Sequence, residues 1–136
     1  MTDGEQPADV DPFDLPEWLG GPDVVWESDE GLRTGHLVSG QLRTSGVDRL
    51  RCALLAVDEA YPVPVVSDDV RTRAHQAWRH GQVLLVSREG ALTLAVPGRR
   101  FDADLVLEAI ARLAMAVGAS SDDWSVLLRI GTARRQ

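Results

Sequence analysis

Lysine and asparagine are missing altogether from the 136 residues, and soft metal ligands are few: three histidines and one cysteine. The single Cys52 excludes an intrachain disulfide and fits a reducing compartment. His36, His75, His80 and Cys52 show neither a Cys-x-x-Cys nor a His-x-x-x-His spacing, and His75 and His80 do not share a helix face. Neither a metal nor another cofactor is therefore expected. Long apolar runs are lacking too. The longest, Leu105 to Val117, is broken by Glu108 and Arg112 and is too short to span a bilayer. With no basic, apolar-cored signal at its start, the chain reads as a cytoplasmic protein that makes no membrane contact. It also has no Gly-x-Ser-x-Gly elbow, no phosphate-cradling glycine loop and no paired carboxylates on one helix face. An enzymatic role stays open, and a non-catalytic one is favoured.

Positive charge is absent from residues 1–32, which hold ten acids and no Arg, Lys or His. Residues 33–136 hold the other eleven acids and all fourteen bases, every one an arginine, so an acidic leader precedes a mildly basic body. The arginine excess reads first as the mark of a GC-rich coding sequence and only second as anion binding. Residues 1–22, with Pro7, Pro12, Pro16 and Pro22, read as a disordered acidic tail. Inside it sits one apolar island of Phe13, Leu15, Trp18 and Leu19.

Residues 23–131 read as a single α+β domain, followed by a basic tail at 132–136. Short strands are predicted at 24–28 and 32–43, the second weakened at Gly35 and Gly40. Leu50, Cys52, Leu54 and Ala56 alternate with Arg51, Ala53, Leu55 and Val57, a pattern apolar on both sides past Ala53. It predicts an interior strand with Cys52 as a small core residue. Tyr61-Pro-Val-Pro64 is expected to be extended. Ser67 caps a helix that carries Asp68 and Asp69 in its first turn and stops at Gly81. A hairpin over 82–96 follows, then a helix from Asp102 to about Val117, with Glu108 and Arg112 as an exposed pair. Trp124, Val126, Leu128 and Ile130 alternate, which favours a strand over the helix that Ser121-Asp-Asp123 would also cap. The order βββαββαβ predicts a mixed or antiparallel sheet of about six strands with its two helices on one face.

Two groups of residues are candidates for binding. The island Phe13, Leu15, Trp18 and Leu19 has the composition of a partner-binding segment, an aromatic anchor kept soluble by acids. The same residues also suit a segment that folds back on its own domain. Arg71, His75 and Arg79 repeat at helical spacing, with Arg99 and Arg100 after the hairpin. They form a candidate anion site, or else a solvated helix face that could receive the acidic leader. A helix-turn-helix spacing at Ala114, Gly118, Trp124 and Leu127 is opposed by Asp122 and Asp123 at the end that would meet phosphate, so nucleic acid is disfavoured as a partner.

These features read as a protein-binding adaptor or chaperone-like module, with a small-anion or phosphorylated-ligand protein or enzyme as the alternative and a DNA binder third. Size, acidity and the ββαββα succession over residues 24–118 are similar to those of small acidic chaperones that hold secretion substrates. That resemblance implies a substrate-holding protein, commonly a homodimer. The chain departs from the pattern by lacking an amphipathic N-terminal helix and by adding a final strand.

Overall fold

The computed structural model describes residues 8–31, 36–58 and 66–129. The expected extended segment at 61–64 and the basic tail at 132–136 lie outside them. In chain order the elements are β1 (Ala8–Asp9), β2 (Val24–Gly31), β3 (Leu37–Val38), β4 (Gly40–Arg43), β5 (Arg49–Ala56), α1 (Asp68–Arg79), β6 (Leu84–Arg88), β7 (Ala91–Val96), α2 (Ala103–Ala116) and β8 (Trp124–Arg129). The α+β class and the expected order hold, with a short strand added in the leader; of the strand predicted at 32–43, residues 32–35 lie outside the described residues and the rest holds β3 and β4.

The sheet runs β1-β6-β7-β5-β4-β2-β8, with β3 paired to β5. It is mixed: β5 runs parallel to β7 and β2 parallel to β8, and the other pairs are antiparallel. Local chemistry accounts for the joints. The Ser67 hydroxyl accepts from Val70 N at 3.3 Å and the Asp102 carboxylate from Leu105 N at 2.8 Å, each satisfying one orphan N–H of a helix start. Between β6 and β7 the two linking residues, Glu89 and Gly90, both have positive φ (55° and 79°), which suits the twist of a tight hairpin.

Core packing departs from the expected single helical layer. Cys52, Leu54 and Ala56 of β5 join Leu92, Leu94 and Val96 of β7 in a cluster with Val106, Ala109, Ile110 and Leu113 of α2. The intervening Leu55 and Ala95 pack instead with Val70 and Ala74 of α1. Successive strand residues face opposite sides, so the helices cover opposite faces. That is why β5 is apolar on both. Arg112 also departs from expectation. Its pair with Glu108 forms at 2.8 Å, yet the guanidinium is largely buried: it stacks 3.6 Å from the Trp78 ring centre and donates to the carbonyls of Trp78 and Gln82. It thereby satisfies the carboxyl end of α1 from α2.

Trp26 of β2 lies fully buried, and its indole N–H donates to the Cys52 carbonyl at 3.0 Å. A Cβ on Gly40 would stand 2.5 Å from the Trp26 ring, so the weak spot at Gly40 exists to let that ring in. Cys52 is itself buried, and burial pushes its thiol up to about 12.

Candidate partner-binding surface

Residues 8–20 form a strap across the domain rather than a loose tail. Ala8 and Asp9 pair with Ser87 and Val86 of β6, and Val10 N donates to Leu85 O at 3.0 Å. The Asp9 carboxylate accepts from Arg73 of α1 at 2.6 Å, while Arg73 also bonds Asp69 at 3.0 Å. Prolines that forbid a regular helix still permit single 3-10 turns, and two follow: Pro12–Asp14, capped by the Asp11 carboxylate on Phe13 N at 2.9 Å, and Glu17–Gly20.

The island divides within these turns. Leu19 is completely buried in the main core, and Leu15 and Trp18 pack partly buried against it. Phe13 points away and is 95% exposed. Beside the strap opens a groove of about 530 Å³ lined by Val10, Pro12, Ala77, Val83, Leu85 and Met115, among others. Asp9, Asp11, Asp14 and Glu17 are all exposed along the same segment.

The arginine stripe is arranged differently from its expected role as receiver of the leader. Arg73, not Arg71, His75 or Arg79, holds the strap. Arg71 bonds Asp68 at 3.1 Å, and His75 Nε2 lies 3.0 Å from both oxygens of Asp58. Gly98 N donates to the same carboxylate at 2.9 Å. Asp58, Arg71, Thr72, His75, Gln76 and Arg79 line a groove of about 390 Å³, whereas Arg99 and Arg100 stand exposed in the turn after β7 and do not line it. The chain thus contributes a carboxylate of its own, Asp58, to the groove that Arg71, His75 and Arg79 share. Asp58 was not picked out from the sequence. Its only local signal is that it follows an unbroken apolar stretch, at the carboxyl end of β5.

Partial burial works against ionisation of Asp58. The hydrogen bonds from His75 and Gly98 N, together with the charges of His75 and Arg71, outweigh it and hold the carboxyl below its usual range. A carboxyl depressed on folding stabilises the fold above its unfolded pKa, about 3.9, and loses that contribution as pH falls through the folded value. Asp58→Asn is therefore expected to lower Tm at neutral pH, by a margin that narrows as acidity increases below about pH 4. Melts of both proteins across that range check this, and a constant margin refutes it.

Among the described residues no three His, Cys, Asp or Glu side chains could hold a metal ion, and no helix is long and apolar enough to cross a membrane. The helix-turn-helix spacing has no second helix to place in a groove, because Trp124–Arg129 is a strand paired with β2. The chain matches no protein-family model, no curated protein and no solved structure.

Proposed function

We propose that the protein is a non-catalytic, cytoplasmic protein-binding module that presents Phe13 as the anchor for a partner. One observation carries this reading: a 95% exposed aromatic side chain on a segment pinned on both sides, by Asp9 on Arg73 and by Leu19 in the core. An anchor already fixed in a capped turn loses little further freedom on binding, and aromatic residues are typical interface hot spots. The exposed acids around it define the complement: a basic protein surface with a pocket for one aromatic ring.

The test uses full-length protein bearing Phe13→Ala, with Val47→Ala as the control, since Val47 is 94% exposed in the β4–β5 turn. Both variants are expected to melt within about 0.5 kcal/mol of wild type, as surface substitutions do. Phe13→Ala is expected to weaken a purified partner, first recovered from source-cell extract, by at least about tenfold, consistent with loss of a hot spot. Raised salt should weaken it too. Equal binding by both variants rules out the anchor.

A further inference from the structure

The two edges of the sheet are finished differently. At one edge β6 is covered by β1 and the strap. At the other, β8 pairs with β2 on one side and, among the described residues, with nothing on its outer side. An exposed edge is a template for another strand, and proteins blunt it with proline, charge, bulges or brevity. From Trp124 to Leu128 the chain has no proline and no charge, and its register with β2 is unbroken from Trp124 to Leu127. Trp124 is buried, while Val126 and Leu128 pack partly buried against the main core. Ser125 and Leu127 face outward on the other side, Leu127 being 47% exposed.

We propose that β8 pairs antiparallel with β8 of a second copy, joining two sheets across a two-fold axis. The strand itself argues for this occupant. A two-fold that continues the sheet reverses the direction of the added strand. Exposed Asp122 and Asp123 precede β8 and Arg129 ends it, so reversal brings the acidic end of one copy alongside the arginine end of the other. A register centred on Val126 sets Asp123 opposite Arg129 and Ser125 opposite Leu127. Parallel addition would set acid beside acid. The strap edges stay at the far ends of the joined sheet, so each dimer carries two Phe13 anchors.

Sedimentation of the full chain over a concentration series tests the pairing. Wild type is expected to reach twice the chain mass. Ser125→Lys combined with Leu127→Lys, both at exposed positions, should stay folded by circular dichroism and dissociate at least about tenfold more readily. Asp123→Arg, just ahead of the strand and with its side chain exposed, is the second variant, and it should weaken the dimer in proportion to the charge it opposes. A monomeric wild type at every concentration overturns the proposal. So does a dimer that both variants leave unchanged, because its contact would then lie elsewhere.

Discussion

Replacing Trp26 by alanine is expected to remove about 4–8 kcal/mol of the fold's stability. The indole is fully buried on β2, among Leu42 and Cys52 of the same core cluster, and Gly40 leaves room for its ring. Truncating a buried tryptophan costs about 3–5 kcal/mol in lost transfer and cavity terms. The Cys52 carbonyl, deprived of its 3.0 Å donor, adds about 1–3 kcal/mol. Against a typical domain stability of about 5–15 kcal/mol, a loss of that size is a large share of the total. Trp26→Phe separates the two parts: it keeps most of the apolar volume, removes the N–H and should cost mainly the hydrogen bond. Urea titrations of the three proteins measure the ladder. A Trp26→Ala midpoint close to wild type would falsify the packing described for this strand.

Removal of the strap is the second large effect. Leu19→Ala alone should cost about 2–5 kcal/mol, because the side chain is completely buried and its loss leaves a cavity. A chain beginning at Gly21 also loses Leu15, Trp18, the β1–β6 bonds and the Asp9–Arg73 pair, and should be less stable still. Phe13→Ala, six residues away, should change stability hardly at all. Denaturation of the single variants and the truncated chain checks the contrast. A truncated chain as stable as the whole would mean the strap does not belong to the core. It follows that the effect of deleting the leader on binding cannot be read without a stability measurement beside it.

What the sequence made legible follows from the range of each interaction. The caps at Ser67 and Asp102 act over three residues, and both helix starts were visible from them. The two-sided apolarity of β5 correctly marked an interior strand. It also implied a layer on each face, which the single-layer expectation overlooked. The strap was harder to see. Its prolines rule out long helices and ladders, but they say nothing about two short turns, the first capped by Asp11 and the second burying Leu19. The ties that fix the candidate sites join residues far apart: Asp9 to Arg73 spans 64 positions and Asp58 to Gly98 spans 40. No local periodicity reports such pairs. They depend on which strands become neighbours, and the parallel β5–β7 pairing brings Asp58 and Gly98 to one end of the sheet.

Cys52 gives the molecule a built-in recorder of its own opening. It is the chain's only thiol, it is buried, and burial holds it protonated, with a pKa near 12. The reactive thiolate therefore forms only in molecules whose β5 has come away from the core. Each alkylated chain then carries a single mark at a known place. When reclosing is fast relative to alkylation, the marking rate reports the free energy of that opening. Because the count is by mass, it can be read in a crude extract, without a dye, a tag or an engineered cysteine.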